Sequence, residues 1–239
     1  MRPGCKSFPD GIAAPPILYS PDHLFIRQLP LASRRECRNI GAMNTTPIQN
    51  LSDTTLKLIH SRQHISPKRL GDPGPDPEQV EKILGAAGAA PDHGLLIPWR
   101  LVIIPQERRH LLAETFAEAL VERDAGATEE QKQEAREKAY RGPLLVLVIA
   151  RFDSTQDSVH PNERLISAGC AVQNMLLAAH AMGFGAGLSS GRGLNARAMR
   201  QLFGLNEQEQ PLCFMTVGAV TKSKPPRTRP GRGDYTSTL

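Results

Sequence analysis

Apolar residues along this chain change period several times, and each change predicts an element. Leu56 and Ile59 share a helical face behind the capping oxygens of Ser52 and Asp53, which predicts a short helix from Ser52 to near Arg62, before a turn at Pro67. Asp76, Pro77 and Gln79 read as N-cap, first helical position and capping-box partner, with Val80, Ile83, Leu84 and Ala87 following at helical steps. That helix is expected to end at the loop Ala90-Pro91-Asp92-His93. Residues 99–105 and 144–152 read as buried strands, and residues 108–123 and 129–140 as exposed, charged helices between them. Residues 167–182 carry Ala, Val, Leu and Met almost all round, the pattern of a central helix buried on most sides or lying in a subunit interface. A short extended segment at 185–190, a capped helix at 195–203 and a third strand at 211–220 complete the pattern.

Strands separated by long helical stretches predict a layered α+β or α/β domain, with strand order left open. No internal repeat appears. Residues 1–42 have scattered Pro and Gly and no sustained period, so the folded domain is expected at 43–239, with Met43 as its natural start and 1–42 as an unstructured or extraneous extension. A targeting segment is the competing reading, against which stand Asp10, Asp22, Glu36 and the many prolines.

Composition narrows the class. The 239 residues suffice to bury a sizeable core. No window approaches the roughly 18 consecutive apolar residues of a membrane span. Cys5 and Cys37 fall in the extension, and Cys170 and Cys213 sit in apolar surroundings without CxxC spacing; reduced thiols and a cytoplasmic setting are expected. Of the net charge of +5, the first 50 residues hold +3, and much of the remaining positive charge lies in the tail Lys222-Ser223-Lys224-Pro225-Pro226-Arg227-Thr228-Arg229-Pro230. A local anion site explains this better than a nucleic-acid surface.

Several segments are candidates for chemistry. The tail follows a predicted core strand, so Arg227 and Arg229 can form a fork around a dianionic phosphate; the bland alternative is a solvated basic tail. His93 reads either as a ligand-loop residue or as a cap on a helix C-terminus. The piece Gly183-Phe184-Gly185-Ala186-Gly187-Leu188-Ser189-Ser190-Gly191 follows a helix instead of a strand, so it is no dinucleotide fingerprint, and alone it equally marks a helix stop and tight turn. Glu163 reads as a solvated charge near a helix N-terminus, or as a partner for Arg164 or a second subunit. The seven histidines lack HExxH spacing, no GxSxG or Walker pattern exists, and no Cys pair has zinc-site spacing, which argues against hydrolase and metal chemistry.

Together, Arg62, the run Ala90-Pro91-Asp92-His93 with Pro98-Trp99, the Gly-rich piece and the basic tail resemble the flavin-dependent nitroreductase family over roughly residues 52–230. Arg62 matches the first Arg of the family's Arg-Arg-Ser, with Gln63 and His64 replacing the second Arg and the Ser; a His ring N–H still donates to phosphate. Leu95 and Ile97 stand in the places of the Asn and Gln of the family's PS-x-x-N-x-Q-P-W, so two amides that would meet the flavin's polar edge are missing. Small single-domain members carry the Ala-Pro-Asp-His run itself.

The resemblance implies an α+β fold with a mainly antiparallel sheet flanked by helices, and a homodimer with a buried central helix. It further implies FMN as cofactor, NAD(P)H as donor, and a nitroaromatic, quinone or similar small-molecule acceptor. Arg62, Gln63, His64, Arg227 and Arg229 would then hold the phosphate, and His93, Ile97, Leu188, Ser189, Ser190 and Gly191 would hold the ring, with a backbone N–H of Ser190 or Gly191 near N5. No side chain is required as an acid–base catalyst, because the cofactor carries the chemistry. The rivals are a flavin-binding protein without turnover, and a flavin reductase or dehalogenase on the same fold.

Overall fold

A computed structural model describes residues 46–152, 159–223, 225 and 227–239. The predicted extension, Met43, Cys5, Cys37 and Lys224 lie outside the described residues. In chain order come α1 (Thr46–Ser61), β1 (Leu70–Gly71), α2 (Pro77–Gly85), β2 (Trp99–Ile103), α3 (Arg109–Arg123), α4 (Glu129–Glu137), β3 (Leu144–Arg151), α5 (Pro161–Ala181), β4 (Gly185–Ser189), α6 (Arg197–Leu202) and β5 (Glu209–Val220).

The sheet is mainly antiparallel, in the order β1-β5-β3-β2, with β4 also on β5. The 12 residues of β5 serve β3 along one edge; along the other they serve β4, from Gly185↔Gly218 to Ser189↔Phe214, and then β1 at Ala219 and Val220. Pro211 cannot donate to the ladder, and the β3–β5 register shifts where it pairs, between Val148 and Ile149.

β3 is apolar from Leu144 to Ala150 because helices cover both of its faces, and it ends in the exposed Arg151. Val146 and Val148 join Cys213, Met215 and Val217 of β5 in a core with Ile83 of α2 and Ala168, Ala171, Val172 and Met175 of α5. Leu145, Leu147 and Ile149 face the other way, with Phe214, Leu112 and Ala113 of α3 and Met199 of α6. Each fully buried aliphatic side chain contributes about 2 kcal/mol of apolar transfer.

Several expectations need correction. α1 starts at Thr46, not Ser52; Thr54 and Thr55, beyond the expected cap, turn their hydroxyls back onto the carbonyls of Asn50 and Leu51 at 2.7 and 2.8 Å, as mid-helix threonines do. α2 has the expected capping box but ends at Gly85, and a 3-10 turn, Ala86–Ala89, continues it. α5 starts at Pro161, earlier than 167, with Asn162 N–H donating to the His160 ring at 3.1 Å. Asn195 does not cap α6; the Glu122 carboxylate of α3 accepts from Arg197 N–H at 3.0 and 3.1 Å instead. β1 is too short to carry a period.

α3 is not simply an exposed charged helix. It buries Leu112, Ala113, Ala117 and Ala119, and Arg109 is 0% exposed. The Arg109 guanidinium donates to the carbonyls of Ile104 and Ala139 at 2.7 Å each and of Pro143 at 3.2 Å. Burial pushes its pKa down to about 10. One cation thereby ties the end of β2, the end of the α4 segment and the start of β3 together, which fixes the α3–α4 pair against the sheet.

Candidate functional site

The site is built where the chain leaves α1. Residues 64 and 65 run beside β4: Ile65 N–H donates to Ala186 O at 2.9 Å, and His64 forms a parallel bridge with Ala186. Only glycine admits this approach, because a Cβ on Gly187 would stand 1.9 Å from Ile65 O. Leu188 N–H donates to His64 Nδ1 at 3.4 Å, which leaves Nε2 of the neutral ring to carry the proton.

A cavity of about 450 Å³ opens there. His64, Leu188, Ser189, Ser190 and Gly191 line it, so five of the expected site residues converge. Phe116 and Leu120 of α3 and Leu145, Phe214 and Thr216 of the sheet supply its other walls. The Thr216 hydroxyl is buried without a hydrogen-bond partner. Gly183, with φ of 86°, ends α5 in the left-handed region, whereas Gly187 serves the close approach and Gly191 has open space around it.

Arg62 and Gln63 line a second cavity of about 280 Å³, with His180, Phe184 and Ser223. Arg62 Nε is buried without a partner, and the Arg62 carbonyl accepts from the Arg229 guanidinium. The Arg62 pKa is pushed down, first by burial and then by the like charge of Arg229. The two guanidinium groups are thus neighbours, and neither makes an ion pair among the described residues. Arg227 is exposed on the same tail.

His93 and Ile97 line neither cavity. They belong to the loop between α2 and β2, where Gly94, Leu95 and Ile97 have φ of 63°, 58° and 46°. The left-handed region costs a non-glycine residue about 1–2 kcal/mol. Asp92 holds this bend: Oδ2 accepts from Ile97 N–H at 2.7 Å, while the buried Oδ1 has no partner. Leu95 is 85% and Ile97 53% exposed. His93 is not a cap on α2; its Nδ1 lies 3.5 Å from Glu163 Oε2, in the first turn of α5.

Sequence reasoning missed three features of the site. Asp92 enters the sequence reading only as part of the run Ala90-Pro91-Asp92-His93, and its role as a strap depends on the amide of Ile97. Thr216 looked like any strand threonine. Arg123, Lys138, Arg141 and Arg192 also line the larger cavity; no sequence signal marks them, since Glu134 and Glu137 stand at helical spacing before Lys138 and Arg141.

Residues 62–219 match the Nitroreductase family. A Haemophilus influenzae protein named "Putative NAD(P)H nitroreductase" is 37% identical over 163 residues, covering 68% of this chain and 86% of its own. The similarly named YdjA of Escherichia coli K12 is 34% identical over the same shares. In fold, the chain resembles a nitroreductase-like protein of Bacillus cereus, with a TM-score of 0.65, 18% identity, and 77% and 95% of the two chains covered. It also resembles the FMN-dependent nitroreductase NfnB of Mycobacterium smegmatis, solved with NADPH, with a TM-score of 0.61, 17% identity, and 79% and 99% covered.

Proposed function

Because the chain belongs to the nitroreductase family, we propose that it is an FMN-dependent oxidoreductase that uses NAD(P)H to reduce nitroaromatic, quinone or similar acceptors. The observation that carries this reading is the Arg62–Arg229 pair, two like charges side by side, one with a buried donor to spare, beside the Gly187 approach. That donor set fits a dianionic phosphate. FMN held there would supply the hydride-transfer chemistry.

The protein's own residues bind, orient and shield. Arg62, Arg227 and Arg229 hold the phosphate, with Gln63 and His64 beside them. Leu188, Ser189, Ser190 and Gly191 would hold the ring, with the backbone N–H of Ser190 or Gly191 available to it. These two residues lie beyond the last β4–β5 pair, Ser189 with Phe214. Phe116, Leu120 and Phe214 exclude water from one side.

A homodimer completes this reading. Leu51, Leu56 and Ile59 of α1 and Ile166 of α5, the last 64% exposed, leave apolar surface uncovered. Ile166 stands on α5 just before residues 167–182, the segment expected to be buried on most sides. His93 and Ile97 reach a ring site in this arrangement from a second copy. We take the FMN-binding domain to be residues 43–239, with 1–42 outside it. No described helix is long and apolar enough to cross a membrane, and the free Cys170 and Cys213 agree with a reducing, cytoplasmic setting.

The test is the visible spectrum of the purified chain with FMN, then with anaerobic NADPH. A yellow protein that bleaches supports the reading. Bound flavin that stays oxidised favours a binding protein without turnover, the reading that the missing amides at Leu95 and Ile97 favour. A chain that retains no flavin overturns the cofactor assignment.

A further inference from the structure

The tail that carries Arg227 and Arg229 leaves β5 after Val220, and Thr221, Lys222, Ser223, Arg227, Thr228 and Arg229 are all exposed. Burial therefore does little to set its path. Among the described residues, hydrogen bonds hold the tail at two places. At its root, the Arg69 carbonyl accepts from Thr221 N–H at 2.9 Å and from Thr221 Oγ1 at 3.0 Å, and Arg69 Nη1 donates to Ser223 O at 3.1 Å. Further along, the Arg229 guanidinium donates to Arg62 O. Both anchors lie on one segment, residues 62–69, which is itself tied to β4 where Ile65 N–H donates to Ala186 O at 2.9 Å. Leu70 of β1 pairs with Val220, and the Arg69 side chain carries the contact between the two chains past that pair to Ser223. Arg69 lines neither cavity, whereas Ser223 lines the one that holds Arg62. No carboxylate pairs with Arg69 among the described residues, so its charge-assisted donor serves the tail.

We propose that Arg69 is a positioning residue for the phosphate site: by holding Ser223 it fixes the root of the tail, so that Arg227 and Arg229 meet the phosphate beside Arg62. This rests on the FMN reading and adds to it a residue that acts through the tail and not on the cofactor. Residues 223–229 can span about 20 Å when fully extended, so an unrooted tail would carry its arginines through a wide volume. Rooting it orders the tail before the ligand arrives and removes part of the ordering cost of binding. Affinity for the phosphate, and not for the flavin ring, is what depends on Arg69.

The experiment uses the full chain and the variant Arg69→Gln. Without added flavin, trypsin is expected to cut the bond after Lys222 about fivefold faster in the variant than in the parent, scored by mass spectrometry, because local opening governs cleavage of a folded chain. With flavin, followed by its fluorescence, the variant is expected to bind FMN about fivefold more weakly and riboflavin, which has no phosphate, as the parent does. In a background without the tail cations, Arg227→Gln with Arg229→Gln, adding Arg69→Gln is expected to change FMN affinity no further. An undiminished FMN loss in that background shows that Arg69 acts on the phosphate itself and overturns the proposal. Riboflavin lost in step with FMN marks a general structural role and also overturns it. A parent that binds no flavin strikes the cofactor reading, and the trypsin comparison then decides alone: faster cutting upholds Arg69 as the holder of the tail root, and unchanged cutting after Lys222 overturns that assignment with or without flavin.

Discussion

Gly187→Ala is the sharpest perturbation of the site, because it adds a single methyl group. A Cβ at this position would lie 1.9 Å from Ile65 O, whereas ordinary contact begins near 3.4 Å, so the two backbones must separate by roughly 1.5 Å. Such a shift breaks Ile65 N–H to Ala186 O, now 2.9 Å, and loosens Leu188 N–H to His64 Nδ1, now 3.4 Å. Two hydrogen bonds at about 1 kcal/mol each, with overpacking strain of about 1–2 kcal/mol, give about 3 kcal/mol. For a domain of this size that lowers Tm by about 10 °C. Displacing His64 also weakens FMN binding, read as quenching of flavin fluorescence. The control is Gly191→Ala, where a Cβ meets nothing within 4 Å and φ is −156°; its stability is expected within about 0.5 kcal/mol of the parent. If Gly187→Ala unfolds in urea at the same midpoint as Gly191→Ala, the close approach is not what demands glycine.

Three further outcomes follow from single groups. Arg62→Ala is expected to weaken FMN about 10- to 100-fold, the worth of charge-assisted hydrogen bonds to phosphate, while riboflavin, which has no phosphate, binds as before; equal loss for both removes Arg62 from the phosphate. Thr216→Val deletes a buried hydroxyl without a partner and is expected to stabilise by about 1 kcal/mol, so a loss of that size in urea melts would show that the hydroxyl is satisfied. Glu209 is buried, and although burial pulls its pKa up, Arg100 at 2.7 and 3.0 Å, the Asn206 N–H and Arg151 hold it below the ordinary 4.5. A depressed carboxylate stabilises the fold above its unfolded pKa and loses that contribution as pH falls through the folded value. Glu209→Gln therefore costs about 2 kcal/mol at pH 7 and flattens stability below pH 4.5, and an unchanged acid slope in the variant would count against the pairing.

The parts of the fold that were legible in the sequence are those fixed by local chemistry. The capping box of Asp76 and Gln79, the apolar run of β3 and the length of β5 depend on neighbours in sequence. Arg109 was not legible, since a buried cation requires several carbonyls from distant chain ends to converge, and no sequence period reports on carbonyls. The same holds for Gly187, whose partner is a backbone oxygen far upstream, and for α6, whose cap comes from Glu122 on another helix. In the site, residue types marked Arg62, His64 and the segment at 188–191 as candidates. That the first faces one cavity and the others a second, and that four cations gather at the latter, is a product of how α3 and α4 lie on the sheet.

The loop at 92–97 remains the costly part of the site, and its cost has a consequence for assembly. Leu95 sits at φ 58° with its side chain 85% exposed, an apolar residue held in a conformation that Asn adopts far more readily. Within one chain, Leu95→Asn relieves strain of about 1 kcal/mol and removes an exposed apolar group, so a free loop gains stability. In the proposed dimer the same side chain is buried by the partner, and losing about 1.5 kcal/mol of apolar transfer weakens association by about tenfold. Sedimentation equilibrium and thermal melting separate the two. A raised dissociation constant places the loop in the interface; a raised Tm with an unchanged dissociation constant leaves it outside and removes the second copy's contribution of His93 and Ile97 to the site.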